Sequence, residues 1–132
     1  MKGIGIGAPN ANYYTGIVQR PINLDWDEEV PLAELFHSQF GLPVAVTNDA
    51  NAAALGEMKY GAARGMRNFI SITLGTGLGS GIVVNGEIVY GSDGFAGELG
   101  HTVVDPAGRM CSCGKRGCLE TYVSAPGLCR TA

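Results

Sequence analysis

Between Leu74 and Gly81 every second residue is glycine: Leu74-Gly75-Thr76-Gly77-Leu78-Gly79-Ser80-Gly81. Each glycine in the interior of a regular element costs conformational entropy, so such a run is best explained by a turn or by another backbone lying close. The G-x-G-x-x-G register of a dinucleotide loop fails, because Ser80 and Ile82 occupy the positions that need the third glycine. A Walker loop fails too, since no Lys-Ser or Lys-Thr follows. Downstream come Ile82-Val83-Val84, an Asn85-Gly86 turn and Ile88-Val89-Tyr90, which read as a hairpin, so no helix N-terminus receives a pyrophosphate. What remains is a turn rich in amides. It is either an ordinary tight turn or a nest that aims backbone N–H groups and the Thr76 hydroxyl at a phosphate.

The rest of the chain supplies alternating elements. Ile4 and Ile6 alternate with Gly3, Gly5 and Gly7, the pattern of a buried strand whose small residues admit close packing, and Pro9 ends it. Gly16 to Arg20 reads as a short strand limited by Pro21. Leu32, Leu35, Phe36 and Phe40 recur at helical spacing, with Pro31 in the first turn and Gly41 as C-cap. Leu42 to Thr47 reads as a strand, and Asn48 or Asp49 caps an alanine-rich helix closed by Gly61 and Gly65. Phe69 to Leu74 is the strand that enters the glycine run. Helices and strands alternate at first and hairpins dominate later, which predicts an α/β fold with a mixed sheet.

Composition narrows the partners. With 45% apolar and 16% charged residues the chain reads as soluble and globular. A net charge of -3 without a Lys/Arg cluster leaves no footprint for nucleic acid. MKGIGIGAPN lacks the apolar run of a secretory signal, and no segment is long and apolar enough to span a bilayer. Three of the four cysteines fall inside eight residues, too crowded for an evenly distributed disulfide framework, so a reducing compartment and a metal are expected.

Two segments carry candidate chemistry. In Thr47-Asn48-Asp49-Ala50-Asn51 a carboxylate stands at the C-terminal end of a strand where a helix begins, the edge at which ligands of open α/β sheets collect. Asn48 and Asp49 serve equally well as helix caps. Further on, Gly97-Glu98-Leu99-Gly100-His101 is followed by Cys111, Cys113 and Cys118. One imidazole and three thiolates make a tetrahedral set that favours zinc, and four protein ligands leave no open position for water, so the metal is expected to be structural. Cys129 lies outside the set.

Taken together, GIGAPN, TNDANAAALGE, TLGTGLGSGIV, and AGELGH with CSCGKRGCLE resemble, in order, four motifs of the ROK family, which comprises sugar kinases and sugar-responsive repressors. The resemblance implies an actin/hexokinase-type ATPase fold, here an internal part of it. Residues 1–61 would be the end of the small sugar-binding domain and residues 62–132 the start of the large one. It implies Asp49 as the base that takes a proton from a sugar hydroxyl, with Asn48, Glu98, His101 and Glu120 bonding other hydroxyls. Thr76 and Gly77 would approach the phosphates of ATP, accompanied by Mg²⁺, and His101 with Cys111, Cys113 and Cys118 would hold structural zinc. The implied activity is ATP-dependent phosphorylation of a hexose, glucose first, by a cytoplasmic protein that is a homodimer at full length. The alternative within the family is the sugar-sensing domain of a repressor. Asn10 stands where many relatives have glycine, beside the sugar. Asn23, before Leu24 and Trp26, matches a further pattern near the sugar and serves equally as a turn residue.

Overall fold

The computed structural model describes residues 2–20, 26 and 29–131, so Pro21 and Asn23 lie outside the described residues. Strand β1 (Ile4–Ala8) pairs in parallel with β4 (Val44–Asn48), Ile4 opposite Val44 and Ala8 opposite Asn48. Between them run β2 (Val18–Gln19), β3 (Glu29–Val30), which pairs with it antiparallel, and helix α1 (Leu32–Phe40). Helix α2 (Asp49–Tyr60) leaves β4 directly. An antiparallel sheet of β5 (Phe69–Leu74), β6 (Leu78–Val84) and β7 (Glu87–Ile88) follows. Beyond it a loop with one 3₁₀ turn (Leu99–His101) leads to the short helices α3 (Glu120–Val123) and α4 (Ala125–Thr131).

A first core forms where the parallel pair meets α1. Ala8, Ala11, Val18, Leu32 and Val46 are buried there, backed by Ile6, Val44 and Phe36. Helix α1 keeps its predicted limits, because Gly41 takes the left-handed conformation (φ 64°) and its N–H closes on the His37 carbonyl. Strand β2 is shorter than the Gly16–Arg20 expected from sequence. Positive φ at both Gly16 (69°) and Arg20 (37°) bends the chain out of the ladder and leaves only two paired residues.

The mixed sheet expected from the alternation is replaced, among the described residues, by separate sheets, of which the β1–β4 pair and the β5–β7 sheet both pack on α2. The reason lies in the glycine run. Only Gly75, Thr76 and Gly77 form the turn, while Leu78 opens β6, so Gly79 and Gly81 are strand residues. A Cβ on Gly81 would lie 2.5 Å from the Ala54 Cβ and 2.9 Å from the Ala50 carbonyl oxygen, and one on Gly79 would lie 2.9 Å from the Ala50 Cβ. On the parallel pair, a Cβ on Gly7 would lie 2.9 Å from the Ala52 Cβ. Helix α2 is therefore wedged between two sheets by alanine meeting glycine. Gly81→Ala is expected to destabilise the fold by about 1–3 kcal/mol, the usual cost of overpacking, read from the midpoint of denaturant unfolding; an unchanged midpoint would show that the helix can yield.

The hairpin beyond β6 follows its sequence. Asn85 (φ 55°) and Gly86 (φ 85°) make the two-residue turn that Asn-Gly favours. The second arm is shorter than the expected Ile88–Tyr90, for Gly91 (φ 74°) turns the chain and Tyr90 leaves the sheet to stack on Tyr13, with ring centroids 4.1 Å apart.

Candidate active site and metal centre

The path of the chain brings five segments to one cleft. Strand β4 ends at Asn48, whose side chain caps α2 by accepting the Ala50 N–H at 2.9 Å, and the Asp49 Oδ1 accepts the same N–H at 2.8 Å. The capping role weighed in the sequence is thus real. It leaves Asp49 exposed at the mouth of the helix, beside the turn between β5 and β6. The cleft, of about 270 Å³, is lined by Asn48 and Asp49 on one side and by Thr76, Gly77, Glu98 and Glu120 on the other. Pro9 and Asn10, just after β1, complete its rim.

Each wall has a local cause. The turn is held from behind: Gly75 donates to the Gly77 carbonyl at 3.0 Å, and Ala125 at the start of α4 donates to the Gly75 carbonyl at 2.9 Å. Among the described residues the amides of Thr76 and Gly77 have no backbone acceptor, which suits a turn able to receive an anion. Glu98 reaches the cleft because its segment lies flat on β6. The Ser80 hydroxyl donates to the Gly97 carbonyl, and a Cβ on Gly100 would collide with the Leu78 carbonyl oxygen. Glu120 starts α3, and its Oε2 accepts the Leu78 N–H at 3.4 Å, which ties α3 to the glycine hairpin.

Glu120 also touches a second cluster. The ligand atoms of His101, Cys111, Cys113 and Cys118 all lie within 4.8 Å of one another. His101 Nδ1 is 3.7 Å from the Cys111 sulfur, and the Cys113 and Cys118 sulfurs are 3.6 Å apart. Zn–S bonds of about 2.3 Å at tetrahedral angles require S···S edges of roughly 3.8 Å, so the set needs little adjustment to close on such an ion. All four cysteines are free. Burial, and then the Glu120 carboxylate, push the Cys111 thiol up to about 12. The Cys118 thiol is also raised, by burial and by Cys113. Cys113 is lowered despite the opposing effect of burial, through the Lys115 backbone N–H and the adjacent thiols. Three thiols this close ionise together only when a cation supplies the balancing charge. The other ring nitrogen of His101, Nε2, lies 4.0 Å from Glu98 Oε2, while Nδ1 is 3.6 Å from Glu120 Oε1. Nδ1 thus faces the Cys111 sulfur and Glu120, whose Oε1 accepts from that thiol at 3.0 Å, while Nε2 faces Glu98.

A smaller hollow of about 150 Å³ continues from the cleft toward His101 and Ser112, sharing Pro9, Asn10, Thr76, Gly77 and Glu120 with it. Asn10, Asn48, Asp49, Thr76, Gly77, Glu98, His101 and Glu120, singled out in the sequence for sugar or phosphate, therefore each line one of two adjoining hollows. Sequence reasoning missed Asn12. It is buried, its Oδ1 accepts the Tyr14 and Thr15 N–H groups, and its Nδ2 donates to the Asp93 carbonyl at 2.7 Å. Its long-range partner, 81 positions away, leaves no local signal in the sequence.

Comparison with known proteins follows the same lines. The profile of the ROK family matches residues 1–132. The glucokinase of Halalkalibacterium halodurans is 51% identical over 134 aligned residues, covering 100% of this chain and 40% of the relative. The xylose repressor of Caldicellulosiruptor bescii is 42% identical, covering 97% and 32%. Among solved structures, a ROK family glucokinase from Streptomyces griseus in complex with glucose and AMPPNP superposes with a TM-score of 0.86 at 44% identity, covering 98% of this chain and 42% of that one. The chain thus spans about 40% of the length of the glucokinases it matches.

Proposed function

This chain belongs to the ROK family and has part of the actin/hexokinase-type ATPase fold, and we propose that it serves ATP-dependent phosphorylation of a hexose hydroxyl, with glucose as the first substrate. The observation that carries this reading is the shared cleft, in which Asn48 and Asp49 face the glycine turn together with Glu98 and Glu120. Asp49 accepts the proton of the attacking hydroxyl, whose oxygen bonds to the terminal phosphorus as the bond to the leaving diphosphate breaks. Asn48, Glu98, His101 and Glu120 hold the remaining hydroxyls, which fixes the sugar for in-line attack. The turn at Thr76 and Gly77 presents its amides to the phosphates. ATP supplies the phosphoryl group, and Mg²⁺ with it neutralises charge on the phosphate oxygens.

His101, Cys111, Cys113 and Cys118 would hold zinc, which supplies the charge the thiolates need and fixes the imidazole whose other face meets Glu98. The same reading places the end of a small domain in residues 1–61 and the start of a large one in residues 62–132, with α2 at the seam. The unpaired cysteines support a cytoplasmic setting, and a homodimer at full length belongs to the same proposal. No described helix is long and apolar enough to cross a membrane.

A repressor's sugar-sensing domain is the second reading, favoured by the 42% identity to a xylose repressor. The higher identity to glucokinases and the intact glycine turn favour the kinase. The test is a coupled assay for ADP release on the full natural chain with glucose, fructose, mannose and N-acetylated hexosamines. Turnover with a hexose is expected, and tight sugar binding without any turnover would overturn the kinase in favour of the sensor.

A further inference from the structure

The lining shared by the two hollows includes one unusual residue. Asn10 lines both, yet it sits at φ 53°, a left-handed conformation that costs most side chains strain and that asparagine tolerates. Its side chain is pinned, the Nδ2 donating to the Arg20 carbonyl at 3.1 Å. Its backbone is pinned as well, since its carbonyl accepts the Gln19 N–H at 3.1 Å and Ala11 bridges Val18. The following residues grip the segment after β7: Asn12 donates to the Asp93 carbonyl, Tyr13 stacks on Tyr90, and the Tyr14 hydroxyl donates to the Gly91 carbonyl at 3.0 Å. A loop tied at both ends cannot swing its first residue aside when a larger ligand arrives.

We propose that Asn10 determines which hexoses the cleft accepts: its side chain narrows the passage between the two hollows, so that a ring hydroxyl reaches His101 while a bulkier substituent, such as the acetamido group of an N-acylated hexosamine, does not enter. His101 and Ser112 line the smaller hollow and not the larger, and with the shared Glu120 they make a polar lining that would suit such a group were it admitted. Asn10 thus acts by exclusion, and hexoses bearing only hydroxyls pass. This inference rests on the reading of the cleft as a sugar site, but not on catalysis.

The left-handed backbone makes the test clean, because Asn10→Gly removes the side chain at a φ that glycine adopts freely. Calorimetric titration of the full natural chain and its N10G variant with glucose and N-acetylglucosamine reads the effect directly. The variant is expected to improve binding of the acetylated sugar relative to glucose by about tenfold or more, with glucose itself within about threefold of the parent, the scale on which a pocket discriminates a small added group. An unchanged ratio with intact glucose binding overturns the proposal. So does loss of glucose binding, since the side chain would then build the cleft rather than narrow it. The kinase reading falls separately: if both proteins bind glucose and neither releases ADP, catalysis is excluded while the binding ratio still decides the role of Asn10.

Discussion

Asp49→Asn is expected to lower the turnover of sugar phosphorylation by about 10²–10⁴-fold, the contribution a positioned general base typically makes, while glucose binding changes little. The fold should not suffer. Asn48 remains the N-cap, and an asparagine at 49 still offers an oxygen to the Ala50 N–H. The substitution removes the proton acceptor and leaves size, hydrogen-bonding reach and helix start in place. Measurement of kcat beside the calorimetric affinity for glucose separates the two effects, and near-parental turnover with D49N would eliminate Asp49 as the base.

The second large effect concerns the metal. Freshly purified protein is expected to carry one zinc per chain by elemental analysis, and Cys118→Ser to carry none. Structural zinc sites bind with apparent free energies of about 10–16 kcal/mol, and the segment around this one has little else to fold on. Val103, Val104 and Met110 are 44%, 53% and 60% exposed, so the loop draws almost no stability from apolar burial. Its loss should open residues 102–119 to limited proteolysis and take Glu120 and the turn tied to it out of position. Cys129→Ser, at an exposed thiol apart from the cluster, should keep both the metal and the protease resistance. Absence of metal from the parent, or full retention by C118S, would defeat the assignment.

Much of this architecture could be read from the chain because its signals are local. The limits of α1 are set by Pro31 and Gly41 alone, and the Asn85-Gly86 turn by two residues whose positive φ the sequence itself announces. The metal cluster was visible because three of its ligands sit within eight positions, and its fourth, His101, is ten residues before the first of them. Where the sequence misled, the deciding contact was remote. Gly79 and Gly81 read as part of a loop because nothing nearby shows that Ala50 and Ala54 would lie over them. The expected mixed sheet failed for the same reason, since a helix inserted between two sheets leaves no local trace. The clamp from Asn12 to Asp93 and the stacking of Tyr13 on Tyr90 join segments some eighty residues apart.

The wedge of α2 bears on how the Asp49 carboxylate, the proposed base, keeps its place. Alanine and glycine have no side-chain torsions, so an error at this junction cannot be absorbed by a neighbour choosing another rotamer, as it would be among leucines. A single added methyl at Gly7, Gly79 or Gly81 must instead tilt the whole rod that begins with Asp49. The placing of Asp49 is thereby handed from adaptable side chains to stiff main chain, and a change at these few small positions is felt at that carboxylate rather than in the interior.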